Sequence, residues 1–216
     1  MCQPADEDAC FLPYGLISRC LYPPSEPWRA ISNGANPLYL GVDIGRTSDL
    51  SVFWLAELCG GILFTRDVRA LKNTPFAEQE CVLDDYLSMP NLARACIDNS
   101  GIGRQFAERA LARYGGARVE PVTFTQASKE LMAYPLKTRF EQSTVRVPDQ
   151  LEIVADLHRV RRSCALNGGA KFSAERGADG HSDRFWALAL ANYACKQSRI
   201  NSKSSIEIVG AGAYIW

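Results

Sequence analysis

No apolar run in this 216-residue chain reaches the roughly 18 residues that a bilayer-crossing helix needs. A membrane-spanning helix is therefore not expected. The first residues, Met1-Cys2-Gln3-Pro4-Ala5-Asp6-Glu7, lack the basic and apolar regions of a secretory signal, and the expectation is a soluble, intracellular protein. Zinc spacing is missing as well. The eight cysteines (Cys2, Cys10, Cys20, Cys59, Cys81, Cys96, Cys164, Cys195) are scattered and form no CxxC pair, so they read as reduced thiols, several of them buried. Net charge is lacking too, because 24 Lys and Arg balance 24 Asp and Glu. Any contact with nucleic acid must then come from a local patch, not from a global basic field. No internal repeat is present.

What is there suffices for one buried core, with 47% hydrophobic residues and some length left for arms. Residues 1–36 read as an irregular arm punctuated by Pro, Ser, Asn and Gly around one helical stretch near Pro13–Leu21. The character changes at Leu38. Leu38–Ile44 is a nearly continuous apolar strand, a second run follows at Ser51–Leu58, and Gly60-Gly61 turns the chain into a third, Ile62–Val68. Short connections between three strands predict an antiparallel meander.

Thr74 and Pro75 mark a helix start, with Phe76, Leu83 and Leu87 on one face. Beyond it the pattern predicts a strand at Ala93–Asp98, a helix over Gly101–Tyr114, a strand at Arg118–Phe124, a helix over Gln126–Phe140 and an extended piece, Thr144–Pro148. Alternation of helix and strand indicates parallel crossovers joined to the meander, an α/β mixed sheet flanked by helices. Asp149, with Glu152 three residues on, predicts a capped helix whose buried stripe is Leu151, Val154, Leu157 and Val160. Ala170–Ala174 reads as a brief strand and Phe185–Ala194 as a helix buried nearly all round, with a polar and then Gly/Ala-rich tail from Gln197.

The chemistry centres on acidic residues at element ends. Asp43 closes a strand whose other side chains are apolar, where a charge is costly unless paired or bound to a cation. Asp98 repeats the arrangement at the end of Arg94-Ala95-Cys96-Ile97-Asp98. If the two strands are parallel neighbours, both carboxylates project from the carboxyl edge, where open α/β sheets bind ligands. Like charges held close together call for a divalent cation. Asp183, within Asp179-Gly180-His181-Ser182-Asp183, would join from the first turn of the buried helix. Such oxygen donors suit Mg²⁺ or Mn²⁺, and two ions about 3.5–4 Å apart can activate water and stabilise a leaving oxygen.

Each residue also has a plainer reading. Asp before a turn is a common turn former, and Asp at a helix start is favoured by the helix dipole alone. Conjunction with the strand order tips the balance toward a site. His181 and Asp179 are auxiliary candidates in the same loop, His158 reads as a helix-surface residue, and Glu57 and Asp49 as structural or solvated. Arg46, Arg104, Lys129, Lys137 and Arg139 are the candidate phosphate-backbone contacts, proposed as a patch.

Leu40-Gly41-Val42-Asp43-Ile44-Gly45-Arg46-Thr47-Ser48-Asp49-Leu50-Ser51-Val52 resembles the first hairpin of the nuclease domain in tailed-phage large terminase subunits, particularly of Mu-like phages. The likeness continues through Ile97-Asp98-Asn99-Ser100-Gly101-Ile102-Gly103 and His181-Ser182-Asp183-Arg184-Phe185-Trp186-Ala187-Leu188-Ala189-Leu190-Ala191, in the same order. The resemblance implies a ribonuclease H-like mixed sheet and a metal-dependent endonuclease that cuts concatemeric double-stranded DNA during packaging. It carries the catalytic, metal-binding aspartates onto Asp43, Asp98 and Asp183, with two Mg²⁺ or Mn²⁺ ions, in the cytoplasm of a bacterial host.

A large terminase also has an ATPase domain with a GxxxxGK[ST] loop, and none occurs in this sequence. The expected organisation is accordingly an arm at 1–36 following an upstream ATPase domain, a nuclease domain at 37–197 and a tail at 198–216. The portal and the small terminase subunit are the implied protein partners, and no membrane is expected. Two rival functions remain at this level. Asp43-Ile44-Gly45-Arg46-Thr47 also resembles a phosphate-binding turn of actin-like and sugar-kinase ATPases, although the chain is too short for their second half. A catalytically silent DNA-binding or portal-docking module would suit the zero net charge and the apolar end, Ile206–Trp216.

Overall fold

The computed structural model describes residues 9–32, 36–45, 50–164, 169–174 and 182–210. In chain order the elements are β1 (Ala9–Cys10), α1 (Tyr14–Ser18), β2 (Leu38–Asp43), β3 (Ser51–Cys59), β4 (Ile62–Leu71), α2 (Phe76–Leu87), β5 (Leu92–Asp98), α3 (Gly103–Tyr114), β6 (Val119–Val122), α4 (Gln126–Glu141), β7 (Val145–Arg146), α5 (Leu151–Arg159), β8 (Val160–Cys164), β9 (Ala170–Ala174) and α6 (Asp183–Gly210). Among the described residues the strands form a six-stranded sheet, β6-β5-β2-β3-β4-β7, and a three-stranded one, β1-β8-β9.

The meander expected from the three apolar runs is present, with β2, β3 and β4 antiparallel. Gly60 and Gly61, at φ 56° and 86°, make the tight turn between the last two. Strands β5 and β6 extend the sheet parallel to β2, and β7 adds parallel to β4.

Alternation along the strands divides the interior into two cores. Leu38, Leu40 and Val42 of β2, Phe53 and Leu55 of β3 and Ala95 and Ile97 of β5 pack with Leu83, Leu87, Phe106 and Ala107 from α2 and α3. The opposite face presents Tyr39, Val52, Trp54, Ala56 and Cys96 to α4, α5 and α6. With a period of two, Asp43 and Asp98 both fall on this second side. Helix α6 crosses that face at Gly41, where a Cβ would lie 1.9 Å from the Ala187 carbonyl oxygen and 2.4 Å from the Ala191 nitrogen. Only glycine admits so close an approach.

Several boundaries differ from the sequence reading. Leu151, expected in the buried stripe of α5, is 82% exposed. The helix is capped at Gln150 without a side-chain bond, its buried residues are Ile153, Asp156 and Leu157, and Val160 has left it for β8. Thr74 does not cap α2 and instead donates to the Lys72 carbonyl. The capping box belongs to α4, where Thr125 Oγ1 accepts from the Ser128 N–H and Ser128 Oγ accepts from the Thr125 N–H. Helix α6 runs on to Gly210, past the expected start of the tail.

Residues 9–32, read as an arm, lie against the body of the fold. Phe11, Leu12, Ile17 and Cys20 are buried in the α4–α6 core. The Phe11 N–H bonds the Val160 carbonyl, and the Tyr22 hydroxyl donates to the Thr65 carbonyl at 2.9 Å.

Candidate metal centre

The two strands that carry Asp43 and Asp98 are neighbours and parallel, with Val42 registered opposite Ile97. One step further, both strands end on the same sheet edge and the same face. Asp183 is the first residue of α6, and α6 starts over that edge because Gly41 lets the helix lie directly on β2. All three aspartates are buried residues lining one cleft of about 290 Å³, together with Gly45, Ser100, Ile102, Phe124, Lys129 and Trp186.

Each carboxylate is held from its own neighbourhood. Asp98 Oδ1 accepts the Ser100 N–H at 2.9 Å, closing a small turn past the strand end. Asp183 Oδ2 accepts the Leu50 N–H at 3.0 Å and so joins the helix start to the beginning of β3. Burial pushes the Asp98 carboxyl above its ordinary value, against the pull of Ser100 and of the Lys129 ammonium. Arg184, next along α6, donates to Asp156 Oδ2 at 2.9 Å, and Arg159 donates to Oδ1 at 3.0 Å, so α5 anchors the turn of α6 that presents Asp183.

Among the described residues the acidic donors that line the cleft offer oxygen alone. Among the described residues no three His, Cys, Asp or Glu side chains close tightly around a single point. Mg²⁺ does not require that: it typically keeps several waters and takes one or two carboxylates. A cleft lined by three carboxylates, with room for water beside an ion, therefore fits Mg²⁺ or Mn²⁺ and does not fit zinc in a closed site.

The other candidates fall in different places. Lys129 lies in the cleft, and Arg104 lines an adjoining groove of about 550 Å³ that shares Gly101 and Ile102 with it. Lys137 and Arg139 line neither. The Lys137 ammonium sits 5.2 Å from the Phe11 ring centroid. Arg139 donates to Asn192, to the Gly61 carbonyl at 3.1 Å and to the Thr144 carbonyl at 3.2 Å, tying α4 to α6 and to the β3–β4 turn. Arg46, Asp49, Asp179 and His181 lie outside the described residues. His158 stacks on Tyr14 with centroids 3.6 Å apart, away from the cleft. Glu57 is fully buried and ion-paired with Arg66 at 2.6 Å.

Sequence reasoning missed the flanking aromatics, Phe124 and Trp186, and the orientation of Lys129. Both had signals. Trp186 stands three residues after Asp183 and so shares its helix face. Lys129 precedes Met132, Ala133 and Leu136 at helical spacing, which places it on the buried stripe of α4.

This fold is that of a known class, for the terminase RNase H-like domain family model matches residues 40–194. The chain belongs to that family and has the RNase H-like fold. Among curated proteins it is 29% identical over 153 residues to the Mu-like prophage FluMu protein gp28 of Haemophilus influenzae, covering 70% of this chain and 30% of that protein. The chain thus spans about a third of that relative's length. Among solved structures, the large terminase nuclease of thermophilic phage G20c with bound magnesium superposes with a TM-score of 0.64 at 22% identity, over 83% of this chain and 95% of that one. The nuclease domain of Thermus phage P74-26 gives 0.63 at 22%, over 82% and 92%. The bacteriophage HK97 large terminase gives 0.62 at 14%, over 85% of this chain and 43% of that one.

Proposed function

We propose that this chain is the nuclease part of a phage large terminase, a metal-dependent endodeoxyribonuclease that cuts concatemeric double-stranded DNA for packaging. The observation that carries the reading is the meeting of Asp43, Asp98 and Asp183 in one cleft at the sheet edge, within a chain of the terminase RNase H-like family. Bound there, two Mg²⁺ or Mn²⁺ ions would supply an ionised water for in-line attack and stabilise the departing oxygen. Asp43, Asp98 and Asp183 would hold the ions. Ile102 lines both the cleft and the adjoining groove that carries Arg104, along which a phosphate backbone could be held. Magnesium, cobalt and zinc in the structures of the phage G20c nuclease support a divalent-ion site in the family.

In this reading residues 37–197 carry the nuclease unit, residues 1–36, of which 9–32 pack against that unit, follow an ATPase domain in the full-length protein, and residues 198–216, into which α6 continues as far as Gly210, form its tail. The 43% coverage of the HK97 large terminase is consistent with a further domain. Portal and small terminase subunit are the proposed protein partners and the bacterial cytoplasm the place of action. Among the described residues no helix is long and apolar enough to cross a membrane.

Plasmid nicking tests the assignment. Wild-type chain should nick supercoiled DNA with Mn²⁺ and stop when a chelator is added. Asp98→Asn should lose nicking by about a hundredfold or more while keeping the wild-type circular dichroism spectrum. Undiminished cleavage by Asp98→Asn would refute the site, and no Mn²⁺-dependent cleavage by the wild type would favour a silent docking module.

A further inference from the structure

Lys129 stands where a lysine is expensive to place. It lies near the start of α4, four residues after the capping Thr125, so its charge opposes the positive end of the helix dipole. It also continues the buried stripe of that helix. Burial draws its proton affinity down, and Asp43 and Asp98 act against that loss. Its ammonium lies 4.7 Å from the Trp186 ring centroid and 5.3 Å from that of Phe124, in the cleft that Asp43, Asp98 and Asp183 line. Two aromatic faces favour a cation at that spot, and the nearby carboxylates favour it further.

We propose that Lys129 is the resident counter-cation of the carboxylate cleft: its ammonium offsets the charge of Asp43 and Asp98 in the metal-free protein, and a divalent ion must bind against it. The proposal rests on the metal-site reading above. Lys129 is a positioning residue in this sense, since it acts on metal loading through the carboxylates. A fixed positive charge within reach of a divalent ion weakens that ion's binding by simple repulsion, and the effect is larger in a half-buried cleft than in bulk water. One ammonium offsets only part of the charge of three aspartates, and it sets the affinity of the site for metal lower than those aspartates alone would give.

Mn²⁺ titration of the purified chain without DNA, followed by the electron paramagnetic resonance signal of free Mn²⁺, tests this. Lys129→Met keeps the alkyl stem on Trp186 and removes the charge, and it should bind Mn²⁺ about tenfold more tightly than wild type. Lys129→Arg keeps the charge and should stay within about twofold of wild type. Thermal unfolding identifies a variant that fails to fold, in which case Lys129→Gln replaces Lys129→Met. Equal or weaker Mn²⁺ binding by a folded, uncharged variant would overturn the proposal and leave the metal site standing. Tightening in Lys129→Arg equal to that in Lys129→Met would overturn it too, because charge would not be the cause. Absence of Mn²⁺ binding in every variant, including an Asp98→Asn control that then matches wild type, would overturn the metal-site reading and the proposal together.

Discussion

Gly41 sets the distance between strand β2 and helix α6, and through it the position of Asp183 relative to Asp43. A methyl group there would meet the backbone of Ala187 and Ala191, which cannot rotate out of the way as a side chain could. Gly41→Ala should therefore destabilise the fold by about 3 kcal/mol in urea unfolding, and the displaced helix should weaken metal binding as well. Glu57 makes a different kind of prediction. Burial pushes its carboxyl up, but hydrogen bonds from Asn36, Ser32 and Arg66 outweigh burial and hold it below its ordinary value of 4.5. A group whose folded pKa is depressed contributes stability above its unfolded pKa and loses it as pH falls through the folded one. The advantage of wild type over Glu57→Gln should then be full at neutral pH and shrink below pH 4.5, which urea unfolding at about pH 7 and about pH 3 would measure. An unchanged difference across that range would contradict this account of Glu57.

Helix α4 is the element that brings Lys129 to the carboxylates, and its first turn is held by the reciprocal Thr125–Ser128 bonds. Thr125→Ala removes one of them and should lower stability by about 1 kcal/mol, read as a shift in the denaturation midpoint. Since Lys129 follows directly, the fluorescence of the protein's tryptophans should report a looser ammonium–Trp186 contact in the same variant. Helix α6 has its own anchor in the Arg184–Asp156 pair, whose side chains are 11% and 2% exposed. These helices differ in how openly the sequence announced them. The all-round apolar run of α6 was plain, whereas the stripe of α5 was misjudged because Leu151 and Val160 sit at helical spacing yet stand at the helix's first residue and just beyond its last. Periodicity reports a face, and the ends of an element are decided by backbone conformation that periodicity does not carry.

At the scale of the molecule, the order of strands was the legible part. Apolar runs and the Gly60-Gly61 turn gave the meander, and alternation with helices gave the parallel extension, so Asp43 and Asp98 would share one edge if β2 and β5 were parallel neighbours, as they are. Of the small sheet β1-β8-β9 only the strand Ala170–Ala174 was legible; the two-residue pairing of β1 with β8 and the burial of Phe11, Leu12 and Ile17 were not, because so short a pairing and long-range packing leave no local period. Lys129 was read only as one member of a phosphate-contacting patch, and its approach to Asp43 and Asp98 depends on how α4 docks, which is a tertiary fact. The account as a whole stands on three distant aspartates acting together on divalent ions. Crystals soaked in Mn²⁺, with anomalous diffraction locating the metal, test this most directly. Anomalous peaks within about 2.2 Å of carboxylate oxygens of Asp43, Asp98 and Asp183 are the predicted result, and a map with ordered Mn²⁺ elsewhere and none at these carboxylates would contradict it.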